Sequence, residues 1–236
     1  GQTEQAASVV IDAMNGAVLA SIPLAMTENV TGSGQDLFGQ NVQLNVWHSA
    51  SGYEMINTSK SMFRSGCNVD DPKQNCGAIY VLDVSNTPPG SSPDLSKATG
   101  GLVVSSSSNS WNPRDAVSAA TNFAKVFDYY QQRHNRNSID GNGGNIIAVT
   151  RFGAGYQNAF WLDGFEGMVF GDADLYAGSL DVIGHEMTHG VISKTAKLIY
   201  QDQAGATHEA LADIFGEVVE HFPQASNVLV LGRRRA

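Results

Sequence analysis

Apolar positions in the first hundred residues fall in short runs separated by turn-forming residues. SVVIDAMNGAVLASI (8–22) sets a branched run, an Asn15-Gly16 turn and a second run in series, the signature of a β-hairpin. VQLNVW (42–47) and AIYVLDV (78–84) read as further strands. The Gly, Ser, Asn and Pro clusters between them read as loops, above all 86–101. From Asn112 the period changes. Pro113 suits a first helical turn, and Ala116, Ala119, Ala120, Phe123, Val126, Phe127 and Tyr130 recur at steps of three and four, which predicts a long amphipathic helix. After the DGNGG turn at 140–144, NIIAVTRF (145–152) reads as a strand, and FWLDGFEGMVFGDAD (160–174) as an edge strand or hairpin rich in aromatic residues. Two helices complete the pattern, near 179–196 and 207–222. In the second, Leu211, Ile214, Phe215, Val218 and Phe222 form the stripe expected to face the core. The fold class is α+β: a strand-rich N-terminal lobe with a long helix, packed against a helix pair.

Composition narrows the partners. A chain of 236 residues, 42% apolar and 16% charged, can bury a core without disulfide staples and lacks the signature of disorder. Fourteen Lys and Arg against 23 Asp and Glu give a net charge of −9. Arg233, Arg234 and Arg235 supply three of those bases, and without them the balance is 11 against 23, or −12. A body that acidic disfavours nucleic acid and anionic lipid and suits hard cations held by carboxylates. No apolar run approaches the roughly 20 residues of a transmembrane helix, so no membrane partner is expected. Cys67 and Cys76 flank a polar, turn-rich stretch suited to closing a small surface loop as a disulfide, which favours an oxidising compartment.

The chemistry lies in the two last helices. His185-Glu186-Met187-Thr188-His189 stands in the first of them. Four residues are about 400 degrees of helix, so both imidazoles project from one face and can grip one ion. Zinc suits neutral imidazoles, takes a third protein ligand and keeps one position open when it is catalytic. Glu186, at the rim of that face, can take a proton from water that the metal acidifies and pass it to a leaving amine. An isolated histidine reads better as a hydrogen-bonded core residue; a spaced pair with Glu between favours the metal. The third ligand is expected on the next helix, where Glu209 stands. Asp213, one turn on, shares its face and can accept the free N–H of a ligating histidine. His208 is a rival ligand, but it points about 100 degrees away from Glu209.

Together, HEMTH, LIYQDQAGATHEALADIFG (198–216) and GYQNAFW (155–161) resemble the thermolysin-like neutral zinc metalloproteases, in order from about Val117 to Phe222. The resemblance implies a zinc endopeptidase in which His185, His189 and Glu209 bind Zn2+ and Glu186 is the general base and acid. It implies that Asp213 orients a ligand histidine, that Tyr200 helps stabilise the oxyanion, and that Asn158 and Ala159 hold the substrate backbone alongside the edge strand. Cleavage is expected before large apolar residues. Asp181 and Glu220 match two carboxylates of the family's interhelical calcium site, so Ca2+ is a second expected ion. The resemblance further implies a secreted, extracellular zymogen, a monomer that meets protein or peptide substrates and its own propeptide.

Departures from the family pattern set the expected domains. Residues 1–28 look like the end of a propeptide, 29–222 like the N-terminal catalytic lobe, and 223–236 like an aberrant or non-family basic tail. The family's second, mostly helical lobe supplies the other wall of the cleft and a further histidine, yet PQASNVLVLGRRRA (223–236) contains no His, Asp or Glu. Without that lobe the Leu211 to Phe222 stripe would be largely exposed. The alternative reading is therefore a truncated, catalytically incompetent zinc-binding fragment or a non-enzymatic binding module. A third treats the two histidines as a structural metal clip. The Cys67 to Cys76 loop looks like an insertion in a hairpin.

Overall fold

The computed structural model describes residues 7–23, 27–84 and 103–222. The expected 86–101 loop and the 223–236 tail lie outside the described residues. The first hairpin forms where the sequence predicts it: β1 (Ala7–Ile11) and β2 (Val18–Pro23) pair antiparallel around a turn in which Gly16 takes φ +73°. There follow β3 (Glu28–Gln35), β4 (Asn41–Ser49), β5 (Gly52–Glu54), β6 (Ile56–Asn57), β7 (Ile79–Asp83), β8 (Ser105–Ser106) and β9 (Ser110–Trp111). After these come α1 (Arg114–His134), β10 (Ile146–Phe152), β11 (Ala159–Leu162), β12 (Gly167–Gly171), α2 (Leu180–Lys194) and α3 (Asp202–His221).

Beyond the hairpin the described residues form two five-stranded sheets. One has the order β8-β5-β4-β3-β9. Only residues 107–109 separate its two outer strands, and Ser106 Oγ donates to the Ser110 carbonyl at 3.0 Å, so the sheet curls until its edges meet. Gly34 permits the curl, because a Cβ there would fall 2.7 Å from the Trp111 carbonyl oxygen. The other sheet has the order β11-β12-β10-β7-β6, with β10 parallel to β7 and β12 and β11 antiparallel to β12 at the edge. Its inner strands β7, β10 and β12 are largely buried, as their near-continuous apolar runs require.

The long helix α1 packs against β3, β4, β7, β10 and α2, burying the Ala116 to Tyr130 positions that its period predicts. It stops at Asn135, which takes a left-handed conformation (φ 48°) and returns its N–H to the Tyr130 carbonyl. The Tyr130 and Thr188 hydroxyls share a buried 2.6 Å hydrogen bond, which ties α1 to α2.

Helix α3 departs from the sequence expectation twice. It begins at Asp202 rather than near Thr207, because the turn-like Gln-Ala-Gly-Ala segment is drawn into its first turns. Its buried face is Gly205, His208, Ala212, Gly216 and Val219, not the bulky stripe. Ile214 is 57% exposed and Val218 46%, while Leu211, Phe215 and Phe222 are half-buried. The cause is the closeness of α2. A Cβ at Gly216 would lie 2.5 Å from the Asp181 carbonyl oxygen, and one at Gly184 would lie 3.1 Å from the Gly216 Cα. Only small residues fit that interface, so Ile214 and Val218 turn outward, while Phe215 and Phe222 reach the core beside it, Phe215 stacking on Tyr130 and Phe222 meeting Tyr129 edge-on. No helix among the described residues is long and apolar enough to cross a membrane.

Candidate metal centre and cleft

The close α2–α3 contact brings three donors together. His185 and His189 stand one turn apart on α2 with their Nε2 atoms 2.9 Å from each other. Glu209, reaching from α3, places Oε2 3.3 Å from His185 Nε2 and Oε1 3.6 Å from His189 Nε2. A tetrahedral ion with bonds of about 2.0–2.1 Å would separate its ligand atoms by about 3.4 Å, and the 2.9, 3.3 and 3.6 Å separations of this trio bracket that value. Two ring nitrogens and a carboxylate facing one another repel unless a shared cation or proton lies between them. The donor set therefore fits Zn2+, with two imidazoles and one carboxylate.

The outer ring nitrogens are engaged as well. His185 Nδ1 lies 2.9 Å from Asp213 Oδ1, so the ring donates there and leaves Nε2 free as a ligand. His189 Nδ1 lies 2.7 Å from His208 Nδ1. His208, weighed from the sequence only as a rival ligand, is instead buried behind His189 and fixes its ring. The signal for this was the spacing of Gly205, Ala212 and Gly216, which puts position 208 on the face turned to α2. Burial, and after it the neighbouring His185 and His208, pulls the His189 pKa down to about 4. That keeps the ring neutral, the state a metal ligand needs. Burial lowers His208 also.

Glu186 is 5% exposed. It accepts the Trp161 backbone N–H, and its buried Oε2 has no partner among the described residues. Burial first, and the Glu209 charge after it, push its pKa up to about 7. A carboxyl poised there can both take and give a proton near neutrality. Tyr200 donates its hydroxyl to Glu209 Oε1. Asn158 accepts the Gly171 N–H at 2.9 Å through its carbonyl, and Ala159 opens β11, whose outer side carries no strand among the described residues. Asn158, Ala159, His185, Glu186 and Tyr200 all line one cleft of about 620 Å³.

Asp181 and Glu220 share a negative field: burial raises the Glu220 pKa, with Asp181 and then Glu217 adding to the effect. The tightest donor group there, however, is Glu217, Glu220 and His221, all exposed, without Asp181. Cys67 and Cys76 form the expected disulfide.

The sequence profile of the thermolysin metallopeptidase catalytic domain matches residues 31–193, a stretch that holds both helix histidines and Glu186 and ends before Glu209. Bacillolysin of Bacillus amyloliquefaciens is 34% identical over 216 residues, covering 88% of this chain and 37% of its own length. The neutral protease NprE of Bacillus pumilus is 36% identical over 193 residues, 79% of this chain and 57% of that protein. Thermolysin of Alicyclobacillus acidocaldarius is 34% identical over 220 residues, 90% of this chain and 38% of that protein. Among solved structures, the precursor of protealysin, a metalloproteinase from Serratia proteamaculans, is similar with a TM-score of 0.52 at 31% identity, over 62% of this chain and 44% of that one. The chain thus spans well under half the length of the bacillolysin and thermolysin it matches.

Proposed function

The chain belongs to the thermolysin metallopeptidase family, and from that premise we propose that residues 29–222 are the N-terminal catalytic lobe of a zinc-dependent endopeptidase. The observation that carries the reading is the convergence of His185, His189 and Glu209 beside the buried, unpartnered Oε2 of Glu186. His185, His189 and Glu209 would hold zinc, oriented by Asp213 and His208. When bound, the ion supplies Lewis acidity, polarising a carbonyl and acidifying water.

The remaining work falls to the chain's own groups. Glu186 takes a proton from the attacking water at Oε2 and returns it to the nitrogen of the leaving amine. Tyr200 turns its hydroxyl from Glu209 to the oxygen on which charge develops. Asn158 and Ala159 hold the backbone of a peptide that lies alongside β11 as an added strand. The preferred residue after the cleaved bond is large and apolar. Asp181 and Glu220 would hold Ca2+, with Glu217 close enough to share it.

Residues 1–28 serve as the end of a propeptide, a partner of the lobe before maturation, and 223–236 as a basic tail outside the family pattern. The disulfide supports an extracellular, secreted setting. The chain acts as a monomer on protein or peptide substrates, and its acidity argues against nucleic acid and anionic membranes.

A second reading, a zinc-binding fragment without turnover, is favoured by one observation: the exposed Ile214 and Val218 flank of α3. Turnover of a quenched apolar peptide separates the two. Activity lost on chelation and in Glu186→Gln is the expected result. Activity that survives Glu186→Gln refutes the mechanism, and zinc binding without turnover establishes the fragment reading.

A further inference from the structure

We propose that the disulfide-closed loop from Cys67 to Cys76 walls a second binding pocket at the far end of β11. This pocket receives a large apolar side chain of the bound peptide, with Lys73 at its mouth selecting an acidic neighbour. The proposal rests on the reading of β11 as the edge that holds a peptide.

A cavity of about 490 Å³ lies where the loop, the 139–145 turn and the β11–β12 turn meet. Ile139, Ile147, Trp161 and Phe165 give it an apolar lining, and Lys73 and Asn75 bring the loop to its rim. Trp161 lines this cavity and the metal cleft alike. Its indole donates to Asp163, and its ring lies against α2 at Gly190, where a Cβ would come within 2.9 Å of it. The indole is thus a fixed partition between two adjoining cavities. Four residues of β11, at about 3.3 Å each, carry an added strand from Ala159 beside Glu186 to Leu162. The turn beyond it lines the second cavity. A peptide paired there would present to that cavity a side chain about three to five residues from the bond cut.

The wall is held in place before any peptide arrives. Asn145 Nδ2 donates to the Pro72 and Gln74 carbonyls at 2.9 and 2.7 Å, and its Oδ1 accepts the Gly77 and Ala78 N–H groups at 2.8 and 3.1 Å. Arg64 adds bonds to the Asn75 and Asn142 carbonyls. A wall ordered in advance costs little further entropy when a ligand binds. Of the charges lining the cavity, Lys194 pairs with Glu166, while Asp140 keeps its charge and accepts the N–H groups of Asn142 and Gly144 through Oδ1. Lys73 has no ion-pair partner among the described residues.

The test uses the full chain with zinc and quenched peptides that share one cleavable core. They carry Phe or Gly at each position three to five residues from the bond, with Asp or Lys beside it. The expected result is a kcat/KM about tenfold higher for Phe than for Gly at one of these positions. Asp should be favoured over Lys beside it, a ranking that Lys73→Glu reverses. Equal cleavage of the Phe and Gly peptides at every position overturns the pocket and leaves the peptidase reading standing. If no peptide is turned over, fluorescence anisotropy of the same peptides, labelled, on the Glu186→Gln chain decides. Tighter binding of the Phe peptides supports the pocket although catalysis has failed; equal binding, or none, overturns it.

Discussion

Replacing Glu186 by Gln should stabilise the metal-free protein at pH 8 and leave its stability almost unchanged near pH 4. The folded state holds the Glu186 proton up to about pH 7, whereas the unfolded chain releases it near the ordinary value of 4.5. Between those values the folded state binds more protons than the unfolded one, so stability falls as pH rises. The contribution is complete below pH 4.5 and lost above about pH 7. At 1.36 kcal/mol per pKa unit the full effect is about 3 kcal/mol, an upper figure. Glutamine keeps the shape and an oxygen for the Trp161 N–H but carries no charge, so the variant lacks this slope. Urea unfolding of parent and variant with a chelator present, at pH 4 and pH 8, gives the comparison. Taking variant minus parent at each pH removes the titration of every group the two chains share, His189 among them. A gain for Glu186→Gln that is equal at both pH values, or larger at pH 4, would refute the reasoning.

Asp213→Ala should weaken zinc binding about 10- to 100-fold, measured by competition with a chelating dye, with the circular dichroism of the helices unchanged. Gly216→Ala should lower stability by about 2 kcal/mol or more, since the new methyl meets backbone rather than a movable side chain; thermal unfolding would show it, together with weaker zinc binding as α3 is pushed away. Replacing Cys67 and Cys76 together by Ser removes a cross-link between residues nine apart. That should cost about 2 to 3 kcal/mol on the chain-entropy account, read as a lower denaturant midpoint. Ile214→Lys combined with Val218→Glu should leave the unfolding temperature unchanged in a thermal scan, because both side chains are exposed on the outer flank of α3.

The elements with a strong period were legible in the sequence. α1 announced itself through Ala116 to Tyr130, and the hairpin through Asn15-Gly16. Helical geometry paired His185 with His189 and Glu209 with Asp213, since positions four apart share a face whatever the helix packs against; joining the two pairs, with Glu186, into one site rested on the family resemblance. The face of α3 did not follow. Bulk at Leu211, Ile214 and Val218 suggested a core stripe, but what an interface accepts depends on its partner's distance, and Gly184 set that distance from another helix. His208 was rightly set below Glu209 as a ligand, but its contact with His189 was hidden for the same reason, because it depends on a ring 2.7 Å away on α2 rather than on its own neighbours in sequence. The curled sheet was likewise hidden, since its closure joins Ser residues with no hydrophobic pattern.

The second sheet ends on strands of unequal exposure to pairing. β6 is two residues long at one edge and β11 is four at the other, with its outward backbone groups matched by no strand among the described residues. Such an edge accepts any extended backbone, and during synthesis or refolding the nearest extended backbone is another unfinished copy of the same chain. The brevity of β11 limits that hazard but also limits how many backbone bonds a captured peptide can make. On the proposed peptidase reading, selectivity among peptides would therefore come from side-chain pockets beside the strand rather than from the strand itself.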